Sequence, residues 1–218
     1  MKPRTVWKFG RVFSPELLSK AVAHLKRRDR KLASVIDKVG DLEILPGFRP
    51  FDALIVSILY QQLAGTAAQA ILNRFRALYG DRFPTPKEIL ETPDERLRMT
   101  GLSRRKVECL KDLSSKVAEG ALDLDGLSRL GDEAVIAELD KVKGIGRWTA
   151  QMFLIFPLGR PDVLPAGDLG LRMAVKSLYG LKELPGEEEV EKIGAKWRPY
   201  RTVASLYLWR SQEVKAPA

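Results

Sequence analysis

Two glycines one residue apart open the most chemically suggestive stretch of the chain, Leu139-Asp140-Lys141-Val142-Lys143-Gly144-Ile145-Gly146-Arg147-Trp148-Thr149-Ala150. A helical pattern ends near Asp140, and an apolar helix begins directly after the glycines. Gly-x-Gly permits positive φ and removes side chains that would hold a ligand off the backbone. The freed N–H groups then lie at a helix N-terminus, where unsatisfied donors and the positive dipole end attract phosphate. Lys143 and Arg147 add attraction at longer range. The same glycines also suit a plain tight turn between two helices. A Rossmann loop does not fit, because no strand precedes the glycines and no third one follows.

Other chemistry is limited by what is missing. The 218 residues hold one cysteine, Cys109, and one histidine, His24. This excludes an internal disulfide, a CxxC redox pair, a cysteine zinc knuckle and a cysteine-ligated iron–sulfur cluster, and it argues against a His-based metal site. Any reaction must draw on carboxylates, aromatics, hydroxyls, amides or backbone groups. Thirty-seven Lys and Arg oppose 28 Asp and Glu, a net charge of +9. Such a balance favours a polyanion, either nucleic acid or an anionic surface. Residues 1–50 carry most of the excess, with twelve basic side chains against five acidic ones. The run Lys26-Arg27-Arg28-Asp29-Arg30-Lys31 reads equally well as a solvated helix end.

These residues need a scaffold, and the pattern is helical nearly throughout. Phe51, Leu54, Ile55, Ile58, Leu59 and Leu63 recur at the helical period, as do Ala68, Ile71, Leu72, Phe75, Leu78 and Tyr79. Gly65 separates the two segments, and Gly80 ends the second. Pro84-Thr85-Pro86 opens a short helix around 87–91, and Thr92-Pro93 reads as N-cap and first turn of another. Arg104–Glu119 is amphipathic, and further helices are expected at 132–140, 147–156, 168–179, 187–195 and 199–212. No alternating strand pattern runs beyond four or five positions. The expected class is all-α, with a 45% hydrophobic and 30% charged composition that supports a core and argues against disorder. No apolar run reaches membrane-span length, and Met1-Lys2-Pro3-Arg4 leads into no signal-peptide core. The expected location is therefore the cytoplasm with the nucleoid, or the nucleus in a eukaryote.

The hairpin with its Trp148-Thr149-Ala150 continuation resembles the helix-hairpin-helix of DNA glycosylases. Downstream, Pro157-Leu158-Gly159-Arg160-Pro161-Asp162-Val163-Leu164-Pro165-Ala166-Gly167-Asp168 resembles the family's Gly/Pro-rich loop ending in an essential aspartate. Leu59-Tyr60-Gln61-Gln62-Leu63, Gly101-Leu102-Ser103 and Trp197-Arg198-Pro199-Tyr200-Arg201 through Trp209 strengthen the likeness. Together these strings are similar to the 3-methyladenine DNA glycosylase II subfamily over roughly residues 45–212. The resemblance implies one 1–218 unit with two helical lobes around a DNA-binding cleft. One lobe spans about 50–165; the other combines about 1–49 with 166–218.

The resemblance also implies roles. Asp168 is the catalytic carboxylate, although Gly167-Asp168 ahead of an amphipathic helix equally suits an N-cap. Asp162, in Arg160-Pro161-Asp162, is the competing aspartate. Trp148, Trp209, Tyr60 and Met152 form the base pocket, with Phe156 and Tyr200 either joining it or lying in the core. Trp148 stands where relatives with lyase activity carry a nucleophilic lysine, and an indole cannot form that Schiff base. Lys143, Gly144, Ile145, Gly146, Arg147 and Thr149 contact DNA at the hairpin, and an alkali ion, Na⁺ or K⁺, on its carbonyls is the one cofactor expected. Gln62 or Leu63 fills the gap left by a flipped nucleotide. Gly101 and Ser103, with Arg104, Arg105 and Lys106, make a second phosphate contact or simply a capped turn. The implied partner is double-stranded DNA containing alkylated bases, bound by a monomer with no membrane attachment. A non-catalytic helix-hairpin-helix module that binds damaged or abasic DNA is the alternative, and a bifunctional glycosylase/lyase a third.

Overall fold

Side-chain oxygens set many of the helix starts. Ser14, Asp29, Thr85, Ser103 and Asp168 each accept a hydrogen bond from a backbone N–H two or three residues ahead, satisfying a donor the helix cannot pair internally. Thr85 and Glu88 form a reciprocal capping box. A computed structural model describes residues 7–9, 13–42, 44–63 and 65–215. Among these, the helices are α1 Pro15–Arg28, α2 Arg30–Val39, α3 Pro50–Tyr60, α4 Gly65–Ala77, α5 Pro86–Glu91 and α6 Asp94–Met99. They continue with α7 Arg104–Ala118, α8 Asp132–Asp140, α9 Arg147–Ile155, α10 Leu169–Tyr179, α11 Glu187–Gly194 and α12 Arg201–Lys215. Two three-residue strands, β1 Trp7–Phe9 and β2 Ile44–Pro46, pair in parallel with Trp7 opposite Ile44. They are too short to alternate visibly in the sequence, and the described residues are otherwise all-α in class. No helix among the described residues is long and apolar enough to cross a membrane.

The chain forms two compact units, residues 48–153 and residues 1–47 with 154–218, and the boundary falls within α9. In the first, Leu54, Ile55, Ile58 and Leu59 of α3, Phe75 of α4 and Val107, Leu110 and Leu113 of α7 are fully buried or nearly so. In the second, Leu25, Leu32, Leu171, Val175, Trp197, Val203 and Leu206 are.

Several expectations need correction. Residues 154–165, assigned from sequence to the middle lobe, belong with the termini. Thr202 Oγ1 donates to the Arg160 carbonyl (2.7 Å) and accepts from the Val163 amide (2.9 Å), which fastens this loop to α12. Thr92 does not start α6. Its hydroxyl donates back to the Glu88 carbonyl (2.7 Å) and it closes α5, while Pro93 flanks α6 without a side-chain bond.

The basic run near residue 28 is the junction of α1 and α2, and it encloses a buried carboxylate. Asp29 is 4% exposed. It caps α2 through the Lys31 and Leu32 amides, and receives Trp197 Nε1 (2.8 Å), the Tyr179 hydroxyl and Lys196 Nζ (3.1 Å). Lys31 and Lys196 also lie over the Tyr179 ring, at 5.2 and 4.8 Å from its centroid. Within the run only Asp29 is buried, while Lys31 stays exposed and lies against Tyr179. Burial pushes the Asp29 carboxyl up, but donation from Trp197, Tyr179, Leu32 and Lys196 outweighs it and holds the group below its ordinary range. A carboxyl lowered on folding contributes stability in full above its unfolded pKa of about 3.9 and loses it as pH falls through the folded value. Asp29→Ala should cost about 3 kcal/mol, because it strands several buried donors. Urea unfolding between pH 7 and pH 3 should show the wild type losing stability more steeply than Asp29→Asn; parallel profiles would contradict the assignment.

Candidate active site and nucleic-acid interface

The glycine turn lies in the 48–153 unit, between α8 and α9. Gly144 adopts φ +81°, as its glycine identity anticipates, and a Cβ there would sit 3.4 Å from Cys109 Sγ on α7. Burial pushes the Cys109 thiol up to about 12, so it is an unreactive packing surface for the turn. Gly146 is different: its φ is not positive, and a Cβ would meet nothing within 4 Å. It is a place left open for whatever approaches the backbone.

Not every group assigned to phosphate is available. The Lys143 amide donates to Asp112 Oδ2 (2.8 Å), and the Ile145 amide to the Val142 carbonyl (3.0 Å). Ile145 is buried, so its side chain is core. Thr149 is also buried, with its hydroxyl accepting from Gln61 Nε2 (3.1 Å), because that amide fills the space between the α3 end and α9. Arg147 pairs with Glu133 through two bonds of 2.7 and 3.0 Å, an exposed pair of the kind that exchanges readily with solvent or another anion. Among the described residues, the amides of Gly144 and Gly146 donate to nothing, and the Lys143 side chain is exposed. The groups left as candidates for phosphate thus narrow to the two glycine amides, the start of α9, and the Lys143 and Arg147 side chains.

The loop after α3 belongs to the same unit. Gln62 stands at φ +56°, unusual for a side-chain-bearing residue, and Gln62 and Leu63 are both exposed. Tyr60 donates its hydroxyl to Gln69 Oε1 (2.8 Å) and is half-buried, which pushes its own titration up. Trp148 is 38% exposed and Met152 is buried. The second proposed phosphate contact reads here as the capped turn. Ser103 Oγ accepts from the Lys106 amide (3.3 Å), and Gly101 takes φ +103° against Ile71 and Arg74. Lys106 turns inward, donating to the Leu59 and Gln61 carbonyls at 2.7 and 2.8 Å.

In the other unit, Asp168 caps α10. Its Oδ1 accepts from the Leu171 amide (2.7 Å) and from Trp209 Nε1 of α12 (2.7 Å). Trp209 stacks on Phe156, with ring centroids 6.4 Å apart and planes 19° from parallel. Gly170 makes room for this arrangement, since a Cβ there would lie 3.2 Å from Asp168 Oδ1 and 3.5 Å from Trp209 Cδ1. Trp209, expected as a wall for the base, therefore also grips the carboxylate. Phe156, left open between pocket and core, is thus a support for Trp209, and Gly170 is a support that periodicity could not have singled out. Asp162 is engaged otherwise, bound by the Arg201 guanidinium (2.8 and 3.0 Å) and by Arg198 (3.1 Å). Tyr200 packs edge-on against His24 (5.4 Å).

Comparison with known proteins gives the class, that of base excision DNA repair. The chain belongs to the HhH-GPD superfamily of base excision DNA repair proteins, whose family model matches residues 55–199. It is 37% identical over 200 residues to the alkylbase DNA glycosidase-like protein mag2 of Schizosaccharomyces pombe, covering 88% of this chain and 92% of that one. It is 36% identical to DNA-3-methyladenine glycosylase 1 of the same yeast, covering 90% of this chain and 89% of that one. The solved structure of S. pombe 3-methyladenine DNA glycosylase (Mag1) in complex with abasic DNA superposes with a TM-score of 0.85 at 35% identity, covering 91% of this chain and 99% of that chain.

The two glycines should respond differently to substitution. Gly144→Ala combines a left-handed backbone with a close approach to Cys109 and should destabilise the fold by about 1–2 kcal/mol. Gly146→Ala should change stability by less than about 0.5 kcal/mol. Thermal unfolding of the two variants checks this, and equal losses would contradict this turn geometry.

Proposed function

We propose that the chain is a monofunctional DNA N-glycosylase that excises alkylated purines, of the 3-methyladenine and 7-methylguanine type, acting as a monomer on double-stranded DNA. The observation that carries the reading is Asp168 itself, a part-exposed carboxylate oriented by an indole N–H and a helix amide on a chain of this family.

Departure of a purine builds positive charge on the sugar. A carboxylate beside it opposes that charge and orients the water that attacks C1′. As the carbon–oxygen bond forms, the N-glycosidic bond breaks, its electron pair leaves with the base, and the water proton passes to the carboxylate or solvent. Unit charges ~4 Å apart at an effective dielectric of ~20 attract by ~4 kcal/mol, enough for on the order of a thousandfold in rate. No histidine is needed as a general acid if the base is already cationic. A purine alkylated at N3 or N7 leaves as a neutral molecule, whereas an undamaged purine does not.

Trp148 supports hydrolysis without strand cleavage, because it occupies the position that a Schiff-base lysine fills in lyases. Its part-exposed ring offers a face for a cationic base, worth roughly 1–2 kcal/mol. The hairpin's contribution is sequence-independent grip on phosphate, which makes affinity salt-sensitive. An alkali ion there would rest on carbonyl oxygens, which are suitable hard donors. Gly144 O already accepts from Gln61 Nε2 (3.0 Å), which leaves one lone pair for such an ion.

Chromatography of bases released from methylated genomic DNA tests the proposal. The wild type should liberate 3-methyladenine and 7-methylguanine, and Asp168→Asn should release them at least about a hundredfold more slowly while still binding abasic DNA. Unchanged turnover by Asp168→Asn would overturn the assignment, and release of no base by the wild type would leave only a DNA-binding module.

A further inference from the structure

Gln61 and Gln62 are neighbours in sequence but face different tasks. Gln62 and Leu63 form an exposed tip, whereas the Gln61 side chain turns toward the protein. Its amide Nε2 donates to the Gly144 carbonyl (3.0 Å) and to Thr149 Oγ1 (3.1 Å), one on the glycine turn and the other in the first turn of α9. Its backbone carbonyl accepts from Lys106 Nζ (2.8 Å), which also holds the Leu59 carbonyl (2.7 Å) at the end of α3. Gln61 is therefore gripped through its main chain by α7 and through its side chain by the hairpin. The chain turns into the left-handed conformation of Gln62 immediately after it.

We propose that Gln61 is a positioning residue that locks the phosphate-gripping hairpin and the exposed Gln62–Leu63 tip into one rigid piece, so that seating the strand on the hairpin sets where the tip enters the duplex. The inference rests on the DNA glycosylase reading above. The chemistry is specific to a primary amide. Two N–H donors on one nitrogen meet two oxygens on the hairpin side, and a carboxylate there would face the Gly144 carbonyl with like partial charge. The link matters only where tip and hairpin must act together, at a site with a vacant or extruded nucleotide. An intact duplex gives the tip nothing to enter and is held by phosphate contacts alone.

The test compares binding of the full chain to an abasic duplex and to an intact duplex of equal length and salt. Gln61→Met keeps the side-chain length and removes both donors. It should bind the intact duplex within about twofold of wild type and the abasic duplex about tenfold more weakly. The double change Gln62→Ala, Leu63→Ala should weaken abasic binding in the wild type but add little in Gln61→Met, since the uncoupled tip no longer contributes. Thr149→Val, which removes one of the two acceptors at constant shape, should show the same selective loss to a smaller degree, and it decides the question if Gln61→Met fails to fold. Equal weakening on both duplexes, or undiminished abasic affinity, would overturn the proposal. These readouts involve no base release, so a wild type that excises nothing would sink the proposed activity and leave this test intact.

Discussion

In the proposed reaction one carboxylate oxygen has to satisfy a helix and face the reacting sugar at the same time, and the arrangement around it meets that double demand. Capping alone would let Asp168 swing between rotamers, because one amide fixes only a distance. The second donor, Trp209 Nε1, comes from α12 and converts the cap into a defined orientation. Bonds of this kind, from N–H to an ionised oxygen, are roughly twice as strong as neutral ones. The indole is itself steadied by Phe156, and the absence of a side chain at Gly170 keeps the bond short. A reaction that develops charge at a fixed point rewards such prior orientation, since nothing then needs to reorganise as the charge appears.

In the other unit the organising element is α7. Lys106 holds the end of α3, Cys109 lies against Gly144, and Asp112 takes the Lys143 amide while pairing with Lys116 at 2.6 Å. Three residues at helical spacing thus fix both the loop after α3 and the glycine turn. The half-buried position of Lys106 weakens its hold on its proton through desolvation. A residue that looks like part of a basic DNA-facing stripe is in fact structural, its ammonium spent on the Leu59 and Gln61 carbonyls.

Much of this was legible in the sequence, for identifiable reasons. Helices from α3 onward declared themselves because their apolar residues recur at 3.6 and most of their starts carry Ser, Thr, Asp, Pro or Gly. Gly144 stood out because a glycine pair in an apolar helical context marks a tight turn; Asp168 read by itself as a helix start, and its catalytic role was implied only by the family resemblance. What stayed hidden depends on contacts between distant residues. Asp29 looked like one acid among cations, but its partners Tyr179 and Trp197 lie about 150 residues or more away. Thr149 and Ile145 looked like hairpin contacts because they sit in the motif, although burial claims their side chains. Trp209 read as an aromatic face, and its N–H bond could be known only once α10 and α12 were placed together. The end of the middle unit at Phe153 rather than Pro165 was invisible for the same cause, as Thr202 and Arg201 reach back from α12 to hold that loop.

The most direct measurement is a double-mutant cycle on single-turnover release of 3-methyladenine, combining Asp168→Asn with Trp209→Phe, which keeps the stacking ring and removes the N–H. If the indole acts by orienting the carboxylate, the two effects are not additive, and the double variant is no slower than Asp168→Asn alone. Full additivity, with Trp209→Phe slowing the Asp168→Asn protein as much as it slows the wild type, would mean that the tryptophan works on the base independently and that this carboxylate is not what it positions.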